Sequence, residues 1–356
     1  HADAADPLGA GPGAQVRGQG AGVRVKVRVK GRVRVKVRVR VKVRAKGTST
    51  FHSHSHSHLH SRPFPFTSMN YRHHFHAGNF ADVMKHALLV RLVHAMQKKD
   101  RGFLYLDTHA GRGSYDLAAA AAGDSRARKP EWPDGIGRLW IGATVPEVVA
   151  EYVGLTREFD RQKGNLEPAG RFYPGSPWFA RRLARPQDRL ALCEKHPAEC
   201  ATLRAETGSV PRVSIDEMDG YVALRALLPP RERRALVLID PPFEAQGEFA
   251  QIAVALGDAL RRFPSGVFVV WYPLTERARV NAFFAAVIAL RPPPTLVVEL
   301  AIAGKKAGLK MRGCGLVVIN PPWQFEREAR AVLGCLAGAL AQAPGGGGRV
   351  EWLIPE

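Results

Sequence analysis

Two hydrophobic patterns alternate along the chain from about residue 69 onward. Short apolar runs rich in branched and aromatic residues, such as RLALCE, LVLID and GVFVV, predict buried strands. Between these runs, apolar residues recur at intervals of three and four, as in FADVMKHALLVRLVHAM, which predicts helices. Strands that are apolar on both faces and alternate with helices predict an α/β fold with a mostly parallel sheet covered on both sides.

The ends of the predicted strands carry the candidate chemistry, because ligands of parallel sheets bind at the carboxyl ends of the strands. An acidic residue follows each of four successive strands, at Asp107, Glu194, Asp219 and Asp240. Helix capping or chance would explain any one of these acids. Four of them in order predict a polar binding site along one edge of the sheet.

A glycine turn follows the first predicted strand. Gly111 and Gly113 match the start of the GxGxxG pattern of dinucleotide sites, but the third glycine position holds Asp116. The turn also contains His109, which adds bulk where a pyrophosphate would lie, so the pattern is weak evidence for NAD. A cofactor with ribose and adenine but without a pyrophosphate fits better, and S-adenosylmethionine is such a cofactor.

Each part of S-adenosylmethionine has a candidate partner in the sequence. A carboxylate at Glu194 can accept both ribose hydroxyls, and Asp219 can accept the adenine amino group. The segment SPWFARRLA predicts a helix with Ser176 as its N-cap and Pro177 in its first turn. The start of that helix offers donors for the amino-acid carboxylate of the cofactor.

The sequence Asp-Pro-Pro-Phe at residues 240–243 ends the fourth of these strands. The carboxylate of Asp240 and the carbonyl of Pro241 can accept the two N–H groups of a nucleobase amine, which frees the nitrogen lone pair for methyl transfer. Phe243 offers a ring on which an unpaired or flipped base can stack. A similar sequence at Asn320 follows the last strand, where we interpret it as a strand-ending turn.

The first 68 residues follow a different pattern. Valine alternates with Arg or Lys, and then serine alternates with histidine; this segment holds 14 of the 52 Lys and Arg residues but only 2 of the 32 Asp and Glu residues. Because like charges repel and the valines have no partner, we expect this low-complexity tail to be disordered. It is either a nucleic-acid-binding arm or a segment foreign to the native protein, since the first methionine is Met69.

The amino-acid composition indicates which partners, metal sites and cellular location to expect. The net charge of +20 is only partly due to the tail, so a phosphate-rich partner is plausible for the remaining domain. Four cysteines without a CxxC pair predict neither a disulfide framework nor a zinc site, and they favour a reducing, cytoplasmic location. We expect no signal peptide, no membrane span and no metal, and we favour a monomer.

The motifs YRHHFHAGNFADVMKH, YLDTHAGRG, YPGSP, DPPF, WYP and NPPW occur in this order. Together they resemble the RlmJ family of bacterial 23S ribosomal RNA adenine-N6-methyltransferases, over essentially all of residues 69–356. The resemblance implies a Rossmann-like, S-adenosylmethionine-dependent methyltransferase fold with a small helical insertion at about residues 114–175. It also implies 23S ribosomal RNA as the partner and a role in rRNA processing and ribosome biogenesis.

The resemblance also implies roles for particular residues. Asp240 matches the catalytic acid of the family, and Tyr71 matches a tyrosine implicated in contacting the RNA. Where this chain has Phe243, the family more often has tyrosine, so stacking is retained but a hydroxyl contact is lost. The positions that match cofactor-binding residues of the family are His86, His109, Ser176, Glu194, Asp219, Gly220 and Asp240.

Two alternatives stay open at this point. The motif at Asp240 also occurs with methyl transfer to DNA adenine, to cytosine N4 or to protein glutamine, and only the family resemblance favours ribosomal RNA. A non-catalytic RNA-binding assembly factor is the second alternative. Acids at all four strand ends count against it, because a pure binding protein has no need of a cofactor site.

Overall fold

The structure is a computed structural model that describes residues 75–121, 129–141, 145–305, 307–309 and 311–356. The predicted tail, residues 1–68, and the candidate RNA-contacting residue Tyr71 lie outside the described residues. Every element that follows belongs to one compact unit of the chain.

An eight-stranded sheet forms the centre of the fold. A separate two-stranded sheet is formed by the chain between the first two strands of the large sheet. The strands in chain order are β1 (Leu104–Asp107), β2 (Ser114–Asp116), β3 (Phe172–Pro174), β4 (Arg189–Glu194), β5 (Val213–Glu217), β6 (Ala235–Ile239), β7 (Val267–Pro273), β8 (Thr295–Ala301), β9 (Gly313–Ile319) and β10 (Gly347–Ile354). In the large sheet the order is β5-β4-β1-β6-β7-β9-β8-β10, and β2 pairs with β3.

Five neighbouring strands, from β5 to β7 in the sheet order, run parallel to one another. The other three strands join through antiparallel pairs, β7 with β9, β9 with β8 and β8 with β10. The described residues of the loop at residues 302–312, which joins β8 to β9, form no helix, and these two consecutive strands form an antiparallel pair. The predicted α/β fold with a mostly parallel sheet is therefore confirmed, and an antiparallel edge is added to it.

Helices cover both faces of the sheet. In chain order they are α1 (Phe80–Gln97), α2 (Leu117–Ala121), α3 (Ile136–Ile141), α4 (Glu147–Gln162), α5 (Ser176–Leu183), α6 (Pro197–Thr207), α7 (Gly220–Leu227), α8 (Glu248–Arg262), α9 (Arg277–Ala289) and α10 (Phe325–Ala339). One hydrophobic core lies under α1, α4, α5 and α10, and a second lies under α7, α8 and α9. None of the helices among the described residues is long and apolar enough to cross a lipid bilayer.

Strand β6 shows why the central strands read as unbroken apolar runs. Leu236 and Leu238 belong to the first core, whereas Val237 and Ile239 belong to the second core. Successive side chains of a strand point to opposite faces, so a strand covered on both sides needs an apolar residue at every position. The abrupt change from Ile239 to Asp240 then marks the point where the strand leaves the core.

Helix α1 is buried over nearly its whole surface and runs along the first core. Asn79 is its N-cap, and the side chain of this residue accepts hydrogen bonds from the backbone N–H groups of Ala81 and Asp82 at 2.9 and 3.0 Å. Three charged or titratable residues, Asp82, Lys85 and His86, are among its buried positions. Charged residues are rarely buried without partners, so the groups that pack against these three positions are of interest.

The segment between β1 and β4 contains the elements of the predicted insertion. It forms helices α2, α3 and α4, together with β2 and β3, which pair in antiparallel fashion. The two-stranded pair was not predicted, because three-residue strands have too few positions to show an alternating pattern. The pair brings Gly113 next to Gly175, whose backbone N–H donates to the carbonyl of Gly113 at 2.9 Å.

Asn320, in the second of the two similar motifs, lies at the edge of the sheet opposite to Asp240. Strand β9 runs antiparallel to β7, so it ends where β7 begins. The Asn320 side-chain amide donates to the carbonyls of Pro264 and Gly266 at 2.5 and 2.9 Å, and its φ of +53° is left-handed. Asn320 therefore ends a strand, as interpreted from the sequence.

Replacing Asn320 by alanine is expected to lower the free energy of unfolding by about 1–3 kcal/mol. The substitution leaves two carbonyl groups without their donor and places alanine in a left-handed conformation that asparagine tolerates better. Urea denaturation of the variant and the unaltered protein measures the difference. An unchanged midpoint and slope would show that this turn contributes nothing to the stability of the fold.

Candidate active site

A cavity of about 1350 Å³ opens at the carboxyl ends of the central strands. It collects side chains that lie far apart in the sequence, from α1 to the loop after β6. Eight of the nine predicted site residues line it, and the ninth, Tyr71, is outside the described residues. The eight are His86, His109, Ser176, Glu194, Asp219, Gly220, Asp240 and Phe243.

Glu194, at the end of β4, is held by backbone amides on both of its carboxylate oxygens. The N–H of Gly111 donates to Oε2 at 2.9 Å, and the N–H of His196 donates to Oε1 at 2.7 Å. Gly111 adopts a φ of +60°, which glycine reaches without strain, so the tight turn after β1 depends on it. A carboxylate oxygen can accept more than one hydrogen bond, so Glu194 keeps acceptor capacity for a ligand.

Asp219 and Gly220 form the start of α7. The Asp219 side chain accepts from the backbone N–H of Tyr221 and from the ammonium of Lys195, both at 2.9 Å. Although partial burial opposes ionisation, these two donors hold the pKa of Asp219 below its usual range. A Cβ atom on Gly220 would lie 2.1 Å from the carbonyl oxygen of Thr108, so only glycine allows α7 to approach the turn after β1 this closely.

Asp107 lies beneath the cavity and is fully buried. Its carboxylate accepts from the hydroxyl of Tyr105 at 2.9 Å, from the hydroxyl of Ser176 at 2.7 Å and from the backbone N–H of His109 at 3.3 Å. Burial raises the pKa of Asp107 to about 6, although the hydrogen bonds act in the opposite direction. Asp107 therefore supports the site from below rather than lining it.

The prediction that Ser176 is the N-cap of its helix was wrong. The N-cap of α5 is Gly175, and Ser176 is the first residue of the helix. The hydroxyl of Ser176 donates to Asp107 instead of accepting from the backbone. This non-local contact satisfies the buried carboxylate, which is why a residue suited to capping performs another task here.

Asp240 is joined to α1 by a buried ion pair. The ammonium of Lys85 lies 2.5 Å from Oδ2 of Asp240 and 2.8 Å from Oδ1 of Asp82, and Lys85 is only 6% exposed. Burial alone would lower the pKa of Lys85, but the two carboxylates outweigh burial and hold it well above its usual range. Among the described residues, no hydrogen bond to Oδ1 of Asp240 is formed, so one carboxylate oxygen is directed by Lys85 and the other is available.

A chain of hydrogen bonds connects the inserted segment to His86. The Nδ1 atom of His86 lies 2.8 Å from the hydroxyl of Tyr173 on β3, which in turn lies 2.9 Å from the hydroxyl of Tyr152 on α4. The rings of His86 and Phe179 are also 5.0 Å apart. These contacts fix the orientation of the imidazole, with Nδ1 directed away from the cavity towards Tyr173.

Phe243 stands in an aromatic cluster at the cavity wall. Its ring makes edge-to-face contacts with Phe249 and Trp271, with ring centroids 4.9 and 5.7 Å apart. Its backbone φ of +51° is left-handed, which is uncommon for a bulky residue and costs conformational energy. Strain of this kind persists only where surrounding contacts impose it, and such positions cluster at functional sites.

His109 is uncharged at neutral pH. Burial lowers its pKa to about 4, which outweighs the opposing effect of Asp240 and Asp219. Its ring meets that of Tyr221 edge-on at 5.4 Å, and its Nδ1 lies 2.8 Å from the hydroxyl of Thr108. His109 therefore presents a neutral ring to the cavity instead of a charge.

Sequence reasoning missed several side chains that the fold brings to this site. Lys85 was not among the candidate site residues, but it is bound to Asp240. Trp271 and Tyr221 were not candidates either, and both line the cavity. The only sequence signal was the spacing of three between Asp82 and Lys85, which is typical of helical ion pairs in general. Among the described residues, no group of three or more His, Cys, Asp or Glu side chains could hold a metal ion.

Comparison with known proteins gives consistent matches. A family model described as ribosomal RNA large subunit methyltransferase D, RlmJ, matches residues 100–354. The ribosomal RNA large subunit methyltransferase J of Escherichia coli K12 is 38% identical over 288 residues, which are 81% of this chain and 100% of the relative. The protein of the same name from Haemophilus influenzae is 36% identical over the same shares of both chains.

A solved structure supports the fold. Protein LPL1258 of Legionella pneumophila is 36% identical to this chain and superimposes with a TM-score of 0.68. The superposition covers 78% of this chain and 98% of the other. The architecture around the cavity is therefore that of the protein family to which these relatives belong.

Replacing Asp107 by asparagine is expected to change how stability depends on pH. The pKa of Asp107 is raised from 3.8 to about 6, so its carboxyl stabilises the fold when protonated and loses that contribution as the pH rises from 4 to 6. Asparagine does not titrate. The free energy of unfolding of the variant should therefore gain about 3 kcal/mol relative to the unaltered protein between pH 4 and pH 7.

Urea denaturation at intervals across this range measures that difference. Replacing His109 by glutamine is the matched control of opposite sign, because its pKa is lowered from 6.5 to about 4. The stability contributed by His109 is present above pH 6.5 and is lost as the pH falls towards 4. A constant difference between the Asp107 variant and the unaltered protein at every pH would contradict the raised pKa.

Proposed function

Because the chain belongs to the RlmJ family of ribosomal RNA large subunit methyltransferases, we propose that it methylates the N6 amine of an adenine in 23S ribosomal RNA. S-adenosylmethionine is the proposed methyl donor. The observation that carries the proposal is the placement of Asp240, which follows a buried strand and lines the cavity with one carboxylate oxygen held by Lys85. Action on ribosomal RNA implies that the enzyme works in the cytoplasm.

The described residues fit the cofactor. When bound, S-adenosylmethionine supplies an activated methyl group carried on a positively charged sulfur. Glu194, with both oxygens oriented by backbone amides, would accept the ribose hydroxyls, and Asp219 would accept the adenine amino group. Gly220 lets α7, and with it Asp219, approach the turn after β1 closely, and the backbone N–H of Ser176 at the start of α5 would receive the carboxylate.

The contacts of His86 and His109 suit both residues to binding the cofactor in the same site. The imidazole of His86 is held in one orientation by Tyr173, and that of His109 is uncharged, so His109 does not repel a cationic ligand. His109 would pack against the cofactor between the strand ends, beside Tyr221. We propose both as cofactor-binding residues on this basis.

Asp240 acts on the target amine as a hydrogen-bond acceptor. Its Oδ2 atom is paired with the ammonium of Lys85, and carboxylate oxygens accept hydrogen bonds. The Oδ1 atom and the carbonyl of Pro241 would take the two N–H groups of the adenine amine. Holding both hydrogens draws the nitrogen towards tetrahedral geometry, which makes its lone pair available in place of its delocalisation into the ring.

Phe243 would hold the base while the amine reacts. Its ring lines the cavity, and the edge-to-face contacts with Phe249 and Trp271 keep it in one orientation. A base that stacks on this ring must leave its own helix, so the target adenine is either unpaired or flipped out. Tyr71 is proposed as a further RNA contact on the strength of the family motif alone.

The experiment that tests the function uses the full chain, unmodified 23S ribosomal RNA and methyl-labelled S-adenosylmethionine. Digestion of the RNA and identification of the labelled nucleoside should give N6-methyladenosine. Label in another nucleoside would overturn the assignment of the amine. Label only in DNA or protein, when these are supplied instead, would overturn the assignment of the substrate, and no label in any of the three would favour a binding protein.

Replacing Asp240 by alanine is expected to lower kcat/KM for methyl transfer by at least about a hundredfold to a thousandfold. Lys85 keeps its pair with Asp82 in this variant, so the fold should persist. Binding of the RNA should stay within about threefold, because the lost contacts act mainly on the reacting amine.

The matched control is alanine at Asn320, the corresponding position of the second motif. That residue lies at the opposite edge of the sheet, so its replacement should leave kcat/KM unchanged at a temperature where the protein is folded. Initial rates with saturating cofactor measure both variants. Turnover retained by the Asp240 variant would refute the role given to this carboxylate.

A further inference from the structure

The lining of the cavity is strongly acidic. Nine Asp and Glu residues face four Lys and Arg residues there. Three of the four cations are already paired with acids of the same lining: Lys85 with Asp82 and Asp240, Arg112 with Glu199, and Lys195 with Asp219. The cavity as a whole therefore attracts cations and repels anions.

This charge distribution presents a difficulty for an RNA substrate. The proposed sulfonium cofactor suits an acidic lining, but the phosphates on either side of the target base do not. Charges interact over about 8 Å at physiological ionic strength, so phosphates next to the inserted base feel the lining directly. Cations outside the lining, but at its rim, must hold these phosphates.

The loop at residues 302–312, between β8 and β9, has the required charge. Its sequence IAGKKAGLKMR holds four Lys and Arg residues and no acid. Three apolar residues of the loop, Ile302, Leu309 and Met311, line the cavity, whereas Lys305 is exposed. The loop thus presents apolar side chains to the cavity and positive charge to the solvent at its edge.

The described part of this loop is anchored at both ends. The backbone N–H of Ile302 donates to the carbonyl of Arg312 at 2.9 Å, and the N–H of Gly304 donates to the carbonyl of Pro344 at 2.9 Å. The guanidinium of Arg312 lies 3.5 Å from the carbonyl of Thr275, which itself lines the cavity. Arg312 is therefore at the rim, and it forms no ion pair among the described residues.

We propose that the loop at residues 302–312 binds the phosphate backbone of the RNA beside the target adenine, through Lys305 and Arg312. The identity of the polyanion rests on the proposed function. The loop supplies positive charge that the acidic lining lacks, and it does so next to the opening through which the base enters. It therefore sets the affinity for RNA without contacting the reacting atoms.

A second cationic surface exists at the opposite edge of the sheet. Arg101, Arg212 and Arg231 line a pocket of about 320 Å³ there, next to the residues that begin β1, β5 and β6. The central strands separate this pocket from Asp240, so it cannot hold the phosphates that adjoin a base in the cavity. Its single acid, Glu232, is paired with Arg189 and Arg231.

The two surfaces allow a matched experiment with the full chain. One double variant carries Lys305→Gln and Arg312→Gln, and the control carries Arg101→Gln and Arg212→Gln, so both lose the same charge and keep the same N-terminal tail. A fluorescently labelled fragment of 23S ribosomal RNA reports binding between 50 and about 300 mM salt. Binding of S-adenosylmethionine and thermal unfolding show whether each variant keeps its fold.

The loop variant should bind the RNA about tenfold more weakly at low salt, with an unchanged affinity for S-adenosylmethionine. The slope of log affinity against log salt should fall by about 1.4 to 1.8, as expected for two lost phosphate contacts. The KM for RNA should rise while kcat is retained. The control variant should match the unaltered protein in RNA affinity, salt slope, affinity for S-adenosylmethionine, KM and kcat.

An equal loss of affinity in both variants, or a larger loss in the control, would overturn the proposal in favour of the opposite edge. An unchanged salt slope in the loop variant would overturn it as well. RNA binding without methyl transfer by the unaltered chain would refute the proposed function, and the binding data would still decide the role of the loop. No RNA binding by the unaltered chain would refute both.

Discussion

The buried pairing of Lys85 with Asp82 and Asp240 is the interaction on which the site depends. An ammonium group is stable in the interior only if its desolvation is offset by close carboxylates with good geometry. Lys85 meets this condition through a local partner on α1 and a distant partner after β6. The pairing holds α1 against the Asp-Pro-Pro-Phe sequence. The packing of α1 in the core therefore also fixes the orientation of the candidate catalytic carboxylate.

The order of the strands explains why the remaining acids are neighbours. Strands β5, β4, β1 and β6 are adjacent in the sheet, and Asp219, Glu194, Asp107 and Asp240 follow them in that spatial order. Three of these acids line the cavity, and the fourth lies below it and is satisfied by Tyr105 and Ser176. The carboxylates therefore differ in role because their environments differ. The three that line the cavity keep acceptor capacity for ligands, whereas the buried Asp107 has a raised pKa.

The sequence was sufficient for features that depend on a local pattern. The apolar runs of β6 and β7, the helical spacing of the apolar residues in α1 and the acids at the strand ends follow from the period of the chain and from the rule that parallel sheets bind ligands at one edge. Features that depend on contacts between distant segments were not predictable in this way. Nothing in the order of residues shows that Ser176 reaches Asp107, that Tyr173 holds His86, or that β9 inserts between β7 and β8.

The pairing of Lys85 also has a consequence for the synthesis of the protein. Asp82 is three residues away and Asp240 is 155 residues away along the chain. At about 5–20 residues per second, a ribosome finishes α1 roughly 8–30 seconds before it makes the second partner. During that interval Asp82 is the only one of the two carboxylates that has been made and can pair with the ammonium. Asp240, made later, therefore adds a second carboxylate to a cation whose first partner was made with it, and only then is the site complete.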